Sequence, residues 1–157
     1  MQSTKRKKPG KERESRMVRP VASLLREMGF GFVVREIPYF YSAVDVFGVN
    51  DFHCAAIELK VTRWQKGIRQ ARIYQLFAHK AYICMPMNYT SRPPRELLQK
   101  LGIGLIAVEF ARLRPILGAA MVLLEAQDSP ILKPRHAAMM ADKAQRLGKK
   151  TSHRVEV

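Results

Sequence analysis

The stretch Ala43-Val44-Asp45-Val46-Phe47-Gly48-Val49-Asn50-Asp51-Phe52-His53-Cys54-Ala55-Ala56-Ile57-Glu58-Leu59-Lys60-Val61 decides how this chain is read. Two apolar, partly β-branched runs flank Asn50-Asp51, a pair suited to a tight turn, so the segment predicts a β-hairpin with strands Ala43–Val49 and His53–Val61. Side chains alternate faces along a strand. Cys54, Ala56, Glu58 and Lys60 therefore share one face, and His53, Ala55, Ile57, Leu59 and Val61 share the other. Asp45 stands in the middle of a hydrophobic run, where an unpaired carboxylate costs roughly several kcal/mol or takes up a proton. If the two strands pair through the turn, Asp45 comes close to Glu58. Two carboxylates held together repel unless a cation lies between them, and hard oxygen ligands of this kind suit Mg²⁺ or Mn²⁺. Lys60, on the face of Glu58, is placed to orient a water or to stabilise negative charge. A structural role is also open, with Glu58 and Lys60 as a salt bridge at a strand end and Asp45 capping a turn.

Working outward, Phe32–Ile37 reads as a strand preceded by a helix over Arg13–Met28, with Gly29 as its cap and Pro20 marking a kink or a late start. On the other side follow a helix Trp64–Lys80, a strand Ala81–Met85, a helix opened by Pro93-Pro94 and running to Leu101, and a strand Ile103–Val108. Met121–Leu124 reads as a last strand. The order α-β-β-β-α-β-α-β predicts an α/β fold, a mixed β-sheet flanked by helices. A length of 157 residues suits one domain. Its expected limits are 12–128, between a disordered basic arm over 1–11 and a basic tail over 129–157 in which Pro134–Leu147 could form a short helix.

Charge narrows the partners. The chain carries a net charge of +15, of which each terminal segment holds +5, while 47% hydrophobic residues argue against general disorder. Polyanions, nucleic acid first, become the expected partners. The start MQSTKRKKPGKERESR lacks the apolar stretch of a secretory signal. The longest apolar run, Ile116–Leu124, falls short of the ~20 residues that cross a bilayer, so no membrane partner and a cytoplasmic location are expected. Cys54 and Cys84 lie in strand-like runs and read as reduced core thiols. No CxxC or HExxH spacing suggests zinc, and His53, His79, His136 and His153 are too scattered for a serine or cysteine nucleophile with its base.

The pattern of Asp45 followed, after 12 intervening residues, by Glu58-Leu59-Lys60 on hydrophobic strands resembles the PD-(D/E)xK nuclease superfamily. That superfamily has the restriction-endonuclease-like fold and includes archaeal Holliday junction resolvases and many repair nucleases. Gln70-Ala71-Arg72-Ile73-Tyr74 is similar to the glutamine and tyrosine signature of RecB-like branches. Val44 stands where the superfamily name puts proline. The resemblance implies that Asp45, Glu58 and the backbone carbonyl of Leu59 hold one or two Mg²⁺ or Mn²⁺ ions, joined by a glutamate of the first helix. Glu12, Glu14 and Glu27 are open for that place, with Glu14 favoured. Lys60 would orient the attacking water, Gln70 would support it from the helix, and the reaction would be hydrolysis of a phosphodiester bond.

Around this set, Arg63, Lys66, Arg69 and Arg72 form a basic stripe with Tyr74 one turn beyond Gln70, a candidate surface for DNA phosphates. RNA is not excluded. Tyr74 fits core packing as well as substrate contact. Tyr39-Phe40-Tyr41 could stack on unpaired bases or pack as a loop. The expected function is a metal-dependent DNA endonuclease, structure-selective and suited to repair or recombination. A resolvase would need two sites and hence a homodimer, for which Ile116–Leu124 could supply an interface. The competing class is a non-catalytic nucleic-acid-binding module or accessory subunit on the same fold.

Overall fold

Six strands line up in one mixed sheet in the order in which they occur along the chain, β1-β2-β3-β4-β5-β6. The computed structural model describes residues 9–51, 53–110, 118–150 and 153–155. Its strands are β1 Phe32–Tyr39, β2 Ser42–Val49, β3 Cys54–Leu59, β4 Lys80–Pro86, β5 Gly104–Phe110 and β6 Gly118–Leu124. The helices are α1 Pro9–Arg16, α2 Val18–Glu27, α3 Trp64–Tyr74, α4 Arg95–Leu101 and α5 Pro134–Leu147, with a 3₁₀ turn at Met87–Tyr89. β1, β2 and β3 are antiparallel neighbours, β3, β4 and β5 are parallel through the α3 and α4 crossovers, and β6 returns antiparallel. The predicted α/β class, a mixed sheet flanked by helices, is the observed one.

Helices cover both faces of the sheet. On one side α2 packs Met17, Val21 and Leu25 over Val33, Val46, Ile57, Tyr82 and Cys84. On the other, α3, α4 and α5 bring Ile68, Ala71, Leu98, Met140 and Ala144 onto Phe47, Ala56, Ile83 and Leu105. β3 is buried along its whole length, which accounts for its small and apolar composition. The alternation of faces holds there: Cys54 and Ala56 enter one core, Ala55, Ile57 and Leu59 the other.

Several boundaries differ from the sequence reading. The single helix expected over Arg13–Met28 is two helices, interrupted at Met17, whose N–H bonds to the Glu14 carbonyl at 3.0 Å. Pro20 falls in the first turn of α2, where its missing N–H costs nothing. α1 begins at Pro9, inside the expected disordered arm; residues 1–8 lie outside the described residues. The helix predicted to run to Lys80 stops at Tyr74, because β4 already begins at Lys80 and Phe77 and Ala78 turn into the core. The domain does not end at 128: α5 forms as expected but packs on β1 and β2 through the buried Ala137, Met140 and Ala144. Ile116 lies outside the described residues, and the β6 part of its apolar run is a half-exposed edge strand. No helix of the described residues is long and apolar enough to cross a membrane.

Candidate active site

The hairpin register brings the two strand acids together. Val49↔Cys54, Gly48↔Ala55, Phe47↔Ala56 and Val46↔Ile57 are paired, which makes Asp45 and Glu58 the next positions in register, where the backbone ladder stops. There the Asp45 carboxylate takes over as acceptor, receiving the Leu59 N–H at 2.8 Å. On the β1 side the partner position of Asp45 is Glu36, flanked by the pairs Arg35↔Val46 and Ile37↔Val44. Glu36 has φ 54, in the left-handed region that a non-glycine residue seldom adopts. Strict alternation breaks at this point: Val44 and Phe47, three residues apart, enter the same core. The irregularity directs Asp45 into a cleft of about 210 Å³, which it lines with Glu14, Ser15, Val18, Arg35, Glu36 and Leu59.

Glu58 is 5% exposed and fully engaged. Its carboxylate accepts from the Tyr74 hydroxyl and lies 3.0 Å from Lys60 Nζ. Lys60 Nζ is also 3.9 Å from Glu14 Oε1, so the ammonium joins a carboxylate on β3 to one on α1. Burial and the negative charge of Glu58 push the Asp45 carboxyl up to about 7, against the opposing pull of the Leu59 N–H and Lys60. Burial would lower Lys60, but the charges of Glu58, Glu14 and Asp45 outweigh it and hold the ammonium above its ordinary range. The site thus gathers the carboxylates of Asp45, Glu58 and Glu14 near Lys60, with Arg35 and Glu36 lining the same cleft.

Asp45 and Glu58 offer hard oxygen donors, the kind that a small divalent cation takes. Among the described residues no three His, Cys, Asp or Glu side chains form a ready metal cluster. A cation here would rest on Asp45 and Glu58, with the remaining places left to the Leu59 carbonyl and water. Mg²⁺, which keeps several of its waters, suits so sparse a set.

The other predicted residues divide into three groups. Gln70 is half-buried on α3, one turn before Tyr74. Arg63, Lys66 and Arg69 are exposed, whereas Arg72 is half-buried and donates to Gln75 Oε1 at 2.8 Å. Tyr74 corrects the sequence reading. It is wholly buried, donates to Glu58, and its hydroxyl lies 3.2 Å from the Ala43 carbonyl oxygen, so it acts on the site and not on a nucleic acid. Gly67, unremarked in the sequence, is where α3 meets the site: a Cβ there would stand 3.1 Å from Lys60 Cγ and 3.4 Å from Ile83 Cγ2. Its signal was a glycine in a helix interior, unfavourable by ~1 kcal/mol against alanine unless closeness requires it. Arg35 and Glu36 were also missed, since nothing local marks the backbone irregularity that brings them to the cleft.

No protein-family model matches the chain, and neither does any curated protein sequence. Among solved structures, a repair endonuclease from Pyrococcus abyssi matches with a TM-score of 0.40 and 23% identity, over 66% of this chain and 47% of its own. A protein of unknown function from Silicibacter pomeroyi matches with a TM-score of 0.65 and 22% identity, over 92% of this chain and 89% of its own. This chain shares its mixed α/β fold with the Silicibacter protein.

Proposed function

We propose that this chain is a metal-dependent phosphodiester hydrolase acting on DNA, with RNA not excluded, and that its site is Asp45, Glu58, Lys60 and Gln70. The observation that carries the reading is the convergence of Asp45 and Glu58 at the unpaired end of the β2–β3 ladder with Lys60 held 3.0 Å from Glu58. This is the arrangement that the resemblance to PD-(D/E)xK nucleases calls for. A divalent ion on Asp45, Glu58 and the Leu59 carbonyl, with Glu14 at its margin, would activate water and neutralise phosphate charge. Lys60 would hold the attacking water and offset charge as it grows on the phosphate. Tyr74 would fix the Glu58 carboxylate by hydrogen bonding, a positioning role. Exposed Arg63, at the start of α3, and Lys66 and Arg69 on it would bind neighbouring phosphates without reading sequence. Structure-selective cleavage in repair or recombination is the assignment that suits a small, strongly basic chain, and a symmetric cut would require two copies.

The test is incubation of the purified protein with duplex, single-stranded, flap and four-way-junction DNA in Mg²⁺, Mn²⁺ or EDTA. Cleavage is expected with either metal, none with EDTA, and a loss of at least about 1000-fold in Asp45→Ala and Lys60→Ala. Cleavage that persists in those variants excludes the site. A second reading, a non-catalytic binding module, is favoured by one observation: Glu58 is already engaged by Tyr74 and Lys60. It predicts tight DNA binding, indifferent to metal, with no cleavage of any substrate.

A further inference from the structure

The β1–β2 turn presents two aromatic side chains that the core does not use. Phe40 is 73% exposed and Tyr41 is fully exposed, although both neighbours in the chain are anchored. Tyr39 is buried, its hydroxyl hydrogen-bonded with His136 Nδ1 at 2.8 Å and its ring against Phe77 at 4.2 Å. Ser42 Oγ donates to the Tyr39 carbonyl, and Lys143 Nζ donates to that of Pro38. The tip is therefore a braced hairpin. Phe40 itself adopts φ 49. That position in a two-residue hairpin loop favours glycine, and a bulky ring there is a strained choice. Its ring stands edge-on to Tyr39 with centroids 4.8 Å apart and lies 6.0 Å from His136, so it is held in place and turned outward.

Position relates the tip to the site. The last β2–β3 pair is Val46↔Ile57, so the hairpin runs on past the end of β3 where Asp45 and Glu58 meet. Tyr41 and Asp45 are four residues apart, roughly 13 Å along an extended chain. His136, 6.0 Å from the Phe40 ring, is preceded in sequence by two exposed cations, Lys133 at the cap of α5 and Arg135 in its first turn. Flat apolar rings beside cations match a ligand that offers flat bases and phosphates together. A second copy of a chain with net charge +15 is a poor match, because like charges would be brought together.

We infer that Phe40 and Tyr41 form a stacking platform for unpaired bases, so that the substrate carries single-stranded nucleotides beside the point of attack. This rests on the nucleic-acid reading above but not on cleavage. Paired bases are stacked within their own helix and offer no free face, so the platform discriminates single strand from duplex.

The test measures binding in EDTA, where no cleavage occurs, with a labelled single-stranded DNA and the duplex of the same sequence. The double variant Phe40→Ala with Tyr41→Ala is expected to weaken single-strand binding about 10-fold or more and to leave duplex binding within about two-fold. Tyr41→Trp should keep single-strand affinity, with its fluorescence quenched by single strand and not by duplex. Phe40→Gly should raise the melting temperature while weakening single-strand binding, an opposition that a purely structural role for Phe40 cannot produce. Unchanged single-strand binding, or equal losses on both DNAs, overturns the inference. So does a wild-type dimer that becomes a monomer in the double variant, which would assign the rings to a second copy. If no DNA is cut in Mg²⁺ while the binding pattern holds, the hydrolase reading fails and the platform stands.

Discussion

The two ends of β3 are built on opposite electrostatic terms. At its amino end, His79 stacks on His53 with centroids 4.6 Å apart, and its Nδ1 accepts the Cys54 N–H at 3.1 Å. Two stacked imidazoles and a backbone amide meet there. At the carboxyl end, six residues on, Asp45, Glu58 and Glu14 surround Lys60 beside an open cleft. The amino end is arranged to be stable as it stands. The carboxyl end gathers partly buried carboxylates and raises one of them, Asp45, well above its ordinary range.

Removing one partner from the charged end should have the largest effect on stability. Glu58→Ala leaves the Lys60 ammonium short of its nearest carboxylate and the buried Tyr74 hydroxyl with the Ala43 carbonyl as its remaining acceptor. A loss of about 4 kcal/mol is expected, measured by urea unfolding at pH 7. A loss below about 1 kcal/mol would make this pair equivalent to an exposed salt bridge and erase the contrast between the ends.

Asp45→Asn should act in the opposite direction. Asparagine can still accept the Leu59 N–H while removing a desolvated charge next to Glu58. The folded protein holds the Asp45 proton up to about pH 7, whereas the unfolded chain releases it near 4. Between those values the folded state binds more protons, so wild-type stability falls as pH rises through the window. The variant should therefore gain up to about 4 kcal/mol over wild type at pH 8, the worth of about three pKa units, and little at pH 4. Mg²⁺ should raise the melting temperature of wild type and not of the variant. A variant less stable than wild type at pH 8 would mean that the carboxylate is a structural cap and no more.

The contrast between the ends was partly legible in the sequence. The turn residues marked the hairpin and alternation put Lys60 on the Glu58 face, but a two-residue Asn50-Asp51 loop would have set Asp45 opposite Ala56; the observed register, in which Asn50 and His53 exchange backbone hydrogen bonds, is what brings Asp45 to Glu58. Local pattern could not say which side of α3 would be covered. Gln70 and Tyr74 share a face at i and i+4, but only the packing of α3 on β3 makes Tyr74 a buried donor to Glu58. The left-handed Glu36, the break at Met17 and the seating of α5 are likewise tertiary outcomes. Ala137, Met140 and Ala144 do show a helical stripe, yet the basic residues around them gave the segment the look of a solvated tail.

The smallest effect belongs to the amino end, and it tests whether that end depends on being uncharged. Burial, followed by the charge of His53, holds His79 below the usual histidine range, against the weaker pull of Asp128. The unfolded chain therefore takes up a proton near pH 6.5 before the folded protein does. Between that value and the lower folded one the unfolded state binds more protons, so the contribution of His79 is present above pH 6.5 and is lost as pH falls through the folded value. Protonation puts a hydrogen on Nδ1, where the Cys54 N–H already points, so the energy at stake is about that of one hydrogen bond, ~1 kcal/mol or less. Urea unfolding of wild type and His79→Gln between pH 7.5 and 5 should show wild type losing that much more stability on acidification. Parallel curves would leave the neutrality of the imidazole without consequence, and the two ends of β3 would then differ only in how many acids they hold.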